Sequence, residues 1–363
     1  MAAERRGGMK HPVVIVCAGG GGVGKTTASA AFALALAKSG HRALIVSIDP
    51  ARRLADAMGV ELGTQARELS LDSGSGQLFG LMPDPEDALR NFVEFLFAEE
   101  PEALARLLDN RLYRVLEAAV PGIHEVATIS LTWRAIIEHE VDAVVIDTAP
   151  SRNAVDFITY PKRLAKLLGG RAVGWMAAIG KRTSVAPQED KMGRVEQLLV
   201  RALGPVARDV AGLFSEMARV RKRFILLNEH TSDLLLRPET RYYPVASPTA
   251  AARDDVDYLI KKLGKLDITP RALILNSAFV PERDWIQVLE DSDETTPAIE
   301  DVLSALNDER ETRNRAASRI TDAFSRRYPS LPQLRLPFLE SVEPRSIVHT
   351  LSKSFDIAAL LER

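Results

Sequence analysis

The chain has 363 residues, 46% of them hydrophobic and 26% charged, with a formal net charge of −2. That length holds one large α/β domain or two smaller ones, and so small a charge does not imply a nucleic-acid or membrane partner through the global field. A single cysteine, Cys17, excludes a disulfide framework or a thiolate metal site within one chain and points to a reducing, cytoplasmic setting.

Residues 1–10 are short and polar with no apolar core, so they are expected as a disordered tail rather than a signal peptide. From there the chain turns β-branched, and Val13-Val14-Ile15-Val16 reads as a fully buried strand. The run Gly19-Gly20-Gly21-Gly22-Val23-Gly24 then leads into Lys25-Thr26-Thr27 and an alanine-rich helix that Gly40 stops. This is G-x-x-x-x-G-K-[ST], and phosphate chemistry explains it. Glycines let backbone N–H groups curl round the β-phosphate, and the helix N-terminus adds partial positive charge. Lys25 reaches the β/γ oxygens, and the Thr26 hydroxyl faces Mg²⁺. Gly19-x-Gly21-x-x-Gly24 also spells a dinucleotide fingerprint, with Asp49 placed as a ribose-binding acid would be. Lys25-Thr26 directly after the last glycine favours ATP over NAD, because a dinucleotide site needs neither residue.

Residues 43–48 predict a second buried strand ending at Asp49-Pro50, followed by a short helix over 52–59. Residues 64–77 read as loop and 78–82 as a short strand. From Pro85 to His139 the apolar spacing is helical, divided by Pro101 and by Pro121-Gly122. Val141–Asp147 is a further buried strand with an acid at its end. A second helical block is expected from Asn153 to about Leu236. Within it Phe224-Ile225-Leu226-Leu227 resembles a strand. Phe214, Met217, Val220, Phe224 and Leu227 nevertheless recur at helical spacing, so a long helix is expected. Strands over 242–246 and 272–275 flank a helix over 250–263, and Asp291–Glu294 reads as a solvated loop. A charged helix over 297–328, a last strand over 333–336 and an amphipathic helix over 346–361 complete the chain.

Alternation of strands and helices predicts an α/β doubly wound, mostly parallel sheet. Residues 11–363 are expected as a single P-loop ATPase domain, with helical insertions at about 84–139 and 153–236 above the C-terminal strand ends. At those ends Asp147 can reach the metal as a Walker B acid does, and Asp49 stands on the neighbouring strand. A carboxylate is a weak proton acceptor at neutral pH, so Asp49 is expected mainly to orient the attacking water.

Gly-Gly-Val-Gly-Lys-Thr-Thr (21–27), Ser-Ile-Asp-Pro-Ala (47–51) and Asp-Thr-Ala-Pro (147–150) resemble the arsenical pump-driving ATPases, deviant P-loop proteins. That family also includes the targeting ATPase for tail-anchored membrane proteins. The likeness extends to Pro121-Gly122-x-x-Glu125 and to the span from Asp147 to Pro161, and the overall pattern is similar to bacterial members. The resemblance implies P-loop NTPase architecture, a dimer, ATP and Mg²⁺ as cofactors, and a hydrophobic or membrane-protein client. It makes Asp49 the catalytic acid of switch I beside Lys25. Asp147 becomes the switch II acid that senses the γ-phosphate, with Thr26, Asp147 and Asp49 around the metal. Asn276, after a late strand, matches the family's adenine-binding asparagine, and Pro337-Phe338 match its adenine loop.

Four departures accompany the likeness. The family's signature lysine, which reaches the partner's nucleotide, is Gly20 here, and the switch II Thr-Gly-His is Ser151-Arg152-Asn153. The arsenic-binding and zinc-binding cysteines are absent, and the seven methionines are scattered, unlike an adaptable client groove. The six histidines form no i, i+4 pair, which speaks against a metal site. The C-terminal helix lacks the basic face of a membrane-surface helix and is expected to pack on the sheet. Arg52-Arg53 reads equally as a phosphate or partner contact and as a solvated helix start, and the stretch around Trp175 equally as a lid and as a loop. Expected overall is an Mg²⁺-dependent ATPase, as a homodimer or as a heterodimer with a lysine-bearing homologue. The alternatives are a regulatory nucleotide-binding subunit with negligible turnover and a partition-type ATPase on membrane or DNA.

Overall fold

β-branched residues that cannot find water on either face must sit at the middle of a covered sheet, and Val13–Gly19 (β1) does so. In the computed structural model, which describes residues 11–49, 51–119, 122–149, 155–169, 207–281, 297–339 and 343–361, β1 belongs to an eight-stranded sheet. The other strands are Arg42–Ser47 (β2), Arg67–Glu68 (β3), Gln77–Leu81 (β4), Ala143–Asp147 (β5), Arg241–Ala246 (β6), Leu273–Phe279 (β7) and Gln333–Pro337 (β8). Their order is β3-β4-β2-β5-β1-β6-β7-β8, and every pairing is parallel except β3 with β4. The fold is the α/β P-loop NTPase fold. The chain winds outward from β1 in both directions, the topology that in open α/β sheets puts ligand sites outside the C-terminal ends of the central strands. β3 falls inside the stretch expected as loop; two residues give periodicity nothing to register.

Helix α1 (Lys25–Lys38) follows β1 and is buried on almost every side, including all of Ala28–Ala37. That explains its alanines: the sheet covers one face and the C-terminal helix Pro344–Ser352 packs on another. Lys38 at its end donates to Ser352 Oγ at 3.0 Å and meets His349 Nδ1 at 3.2 Å. The expected single C-terminal helix is two, Pro344–Ser352 and Ile357–Leu361. Phe355, between them, turns inward and stacks on Phe32 with ring centroids 4.6 Å apart. Val348, Leu351 and Ile357 are buried with it, so this segment packs in the core as its charge pattern implied.

The chain divides into two compact units. One carries the sheet and runs to Met82, through His139–Val155 and on from Pro238. The other is Pro83–Glu138 with Asp156–Arg237. In the second, Asp84 caps the helix Pro85–Leu96, accepting from Glu86 N at 3.0 Å. The segment before Pro121-Gly122 is more divided than prolines alone suggest, because Asn110 separates the helices Pro101–Asp109 and Arg111–Ala119. Its side chain accepts from Leu112 N at 2.9 Å and donates to Asp209 O at 2.9 Å. Phe224–Leu227 lies inside the helix Ala207–Leu236, as its spacing predicts. Within the same unit Trp133 stacks on His230, and Arg106 holds Glu216 by two bonds of 2.9 and 3.2 Å. The stretches around Trp175 and Asp291–Glu294, and Ser151-Arg152-Asn153, lie outside the described residues. Among the described residues no helix is long and apolar enough to cross a membrane.

Candidate active site

Parallel register sets the site. Asp147, the last residue of β5, stands level with Cys17 on β1 and with Ser47 on β2. The loop after β1 therefore curls over it, turning through positive φ at Gly22 (74°) and Gly24 (76°). Gly24 is doubly constrained, because a Cβ there would also fall 1.9 Å from Asn276 Nδ2. Helix α1 begins at Lys25 with no side chain capping it and no acid in its first turn. Its N–H groups and partial positive charge are left for an anion.

Asp147 is fully buried and surrounded by hydroxyls. Thr26 Oγ1 donates to its Oδ2 at 2.8 Å, and Ser47 Oγ to the same oxygen at 3.3 Å. Ser29 Oγ donates to Oδ1 at 3.3 Å and to Lys25 O at 2.9 Å. The Lys25 ammonium lies 4.0 Å from Oδ1. Burial raises the Asp147 pKa; the Lys25 charge and the Thr26 hydroxyl oppose that rise, and nearby Asp49 adds to it. Burial likewise pushes the Cys17 thiol up to about 12.

Asp49 is 5% exposed at the end of the neighbouring strand. Its backbone N–H donates to Ser47 Oγ at 3.2 Å, and its Oδ1 accepts from Ala51 N at 3.0 Å. Oδ2 is buried without a hydrogen bond, with Arg53 Nη1 at 3.6 Å. Thr26 Oγ1, the Asp147 carboxylate and Asp49 Oδ2 are hard oxygen donors, the chemistry Mg²⁺ selects. Among the described residues no three or more His, Cys, Asp or Glu side chains could hold a metal by themselves. Mg²⁺ needs no such cage, since it takes one or two carboxylates together with substrate phosphates.

Asn276 is placed on the phosphate loop itself, where its amide donates to Val23 O at 3.1 Å. A bulge in β7 brings it there, with Ser277 at φ 55° and a shift of register against β8. Pro337 and Phe338 pack at the next strand end: Phe338 N donates to Phe279 O at 2.7 Å, and the Arg313 guanidinium lies 5.9 Å from the Phe338 ring. Sequence reasoning reached Lys25, Thr26, Asp49 and Asp147 and missed Ser29, and it left Ser47 without a role. The signal for Ser29 was one hydroxyl four residues after Lys25 in an otherwise alanine-rich helix.

Residues 12–296 match the family described as Anion-transporting ATPase. An ATPase get3 from Aspergillus terreus is 26% identical over 270 residues, covering 74% of this chain and 74% of its own length. An ATPase ARSA2 from Chlamydomonas reinhardtii is 28% identical over 286 residues, covering 74% and 68%. An ATPase GET3 from Malassezia globosa is 26% identical over 267 residues, covering 74% and 73%. These relatives are eukaryotic and give the bacterial placement no support.

Proposed function

Since the chain belongs to the anion-transporting ATPase family and is an ATPase, we propose that it is an Mg²⁺-dependent, nucleotide-gated dimer. The observation that carries this reading is the buried Thr26–Asp147 pair, 2.8 Å apart, with Lys25 beside it at the uncapped start of α1. The backbone of Gly19–Gly24 and the first turn of α1, through Thr27, cradle the phosphate chain, and Lys25 holds its β/γ oxygens. Thr26 and Asp147 would hold Mg²⁺, which would supply positive charge to offset that of the phosphates. Asp49 orients the water whose oxygen bonds to the γ-phosphorus as the bond to the bridging oxygen breaks, releasing ADP and phosphate. Asn276 holds the phosphate loop and, with Pro337 and Phe338, borders the adenine. Ser47 joins Asp49 to Asp147, so a change at the γ-phosphate is felt at both strand ends and is passed to the helical unit. The client proposed for that unit is apolar; Phe95, Val115 and Leu226 are exposed on it.

The test uses two variants. Lys25→Ala is expected to lose ATP binding or turnover without unfolding, and NAD is expected not to compete. Asp49→Asn is expected to bind ATP as the wild type does and to lose hydrolysis. Thermal stabilisation by NAD with none from Mg·ATP would overturn the nucleotide assignment, and equal loss of binding in both variants would overturn the role of Asp49.

Gly20 favours a second arrangement, in which this chain pairs with a lysine-bearing homologue or serves it as a regulatory subunit. Turnover that rises on mixing with such a homologue supports a heterodimer.

A further inference from the structure

Resting on the assignment of Asp49 as the hydrolytic acid, we infer that Arg53 is the residue that positions it. A buried carboxylate oxygen without a hydrogen bond is costly unless a cation compensates it. Asp49 Oδ2 is such an oxygen. Its compensation comes from Arg53, four residues on, at the first position of the short helix Arg53–Met58. The 3.6 Å separation is the useful feature. It is close enough for the guanidinium to attract the carboxylate, and too long for a hydrogen bond. The lone pairs of Oδ2 therefore stay open to a water proton, as a water-orienting carboxylate requires.

The neighbouring bonds make this pair more than a surface contact. Asp49 Oδ1 is fixed by Ala51 N, and Arg53 N donates to Ala51 O at 2.8 Å, so acid and arginine share one tight turn. On its other side Asp49 N is tied through Ser47 Oγ to Asp147, and Asp147 to Thr26. Arg53 is thus the outer end of a polar chain that reaches the metal-facing hydroxyl. Its side chain is 54% exposed, so the pair contributes little to stability; its effect is on where Oδ2 points. Arg52, its neighbour, is exposed and caps the start of the helix by backbone alone.

Steady-state ATPase and equilibrium ATP binding on Arg53→Ala, Arg53→Lys and Arg52→Ala, with Lys25→Ala as control, test the inference. Arg53→Ala is expected to lower kcat by roughly 10- to 100-fold, the scale of a misplaced reacting group, with ATP affinity and melting temperature close to wild type. Arg53→Lys should recover most of the loss, and Arg52→Ala should match the wild type. In an Asp49→Asn background, removing Arg53 should have no further effect, since it acts through that carboxylate. The inference is overturned if Arg53→Ala keeps wild-type kcat, or if it loses ATP binding as Lys25→Ala does. It is overturned too if Arg53→Ala slows the Asp49→Asn enzyme further. A wild type no more active than Lys25→Ala would instead overturn the hydrolytic reading itself, and the role of Arg53 with it.

Discussion

A side chain at position 20 would enter space that Asp255 already takes, for a Cβ built on Gly20 falls 2.4 Å from Asp255 Oδ2. The obstacle is the far end of a flexible side chain, and Gly20 carries no positive φ, so a longer residue can be accommodated once the carboxylate moves. Chemistry then decides the outcome. A lysine introduced there meets an aspartate of its own chain before it can reach across to a partner's nucleotide. Gly20→Lys alone is therefore expected to gain less than it would with Asp255 removed, by up to about fivefold. Gly20→Lys with Asp255→Ala should climb toward the ~10³-fold that a donated cation is worth in phosphoryl transfer. Turnover numbers at matched concentrations check this, and equal rates for the single and double variants would refute it.

At the scale of elements, the C-terminal segment shows what one aromatic ring contributes. Phe355 breaks the expected helix in order to stack on Phe32, which in turn meets Tyr243 edge-on at 5.2 Å. Asp356 then starts the last helix, its Oδ1 accepting from Ala359 N at 3.2 Å. Phe355→Ala should lower unfolding stability by about 3–5 kcal/mol, the usual range for a buried phenylalanine, measured by urea denaturation. This ring also shows where sequence reading stops. Strands such as 13–19 and 143–147 are legible because burial on both faces writes itself as a continuous apolar run. The phosphate loop is legible because backbone cradling demands glycines at set positions. The break at 353–356, the two-residue β3 and the seat of Asn276 on Val23 depend on partners far along the chain, and no local pattern encodes them. Asp49 and Asp147 could be found as strand-end acids, whereas the part of Ser29, Ser47 and Arg53 in their hydrogen bonds and charge could not.

For the whole molecule, the family description does not bring arsenic chemistry with it. Trivalent arsenic needs several converging soft thiolates. The chain has one cysteine, buried in β1 with its thiol held protonated. Arsenite and antimonite are therefore expected to leave the ATPase rate unchanged, and stimulation that persists in Cys17→Ser would contradict this. The order of the strands has a consequence of another kind, for synthesis. β1, the first strand made, is flanked by β5 and β6, whose residues come far later. At a synthesis rate of roughly 5–20 residues per second, its second neighbour arrives about 10–45 seconds after it. Until then Val13–Ala18 is an apolar strand with open edges, the kind that pairs with other chains. A fragment ending before β6 leaves one of those edges bare for good, so the nucleotide loop has no finished floor until two thirds of the protein exists.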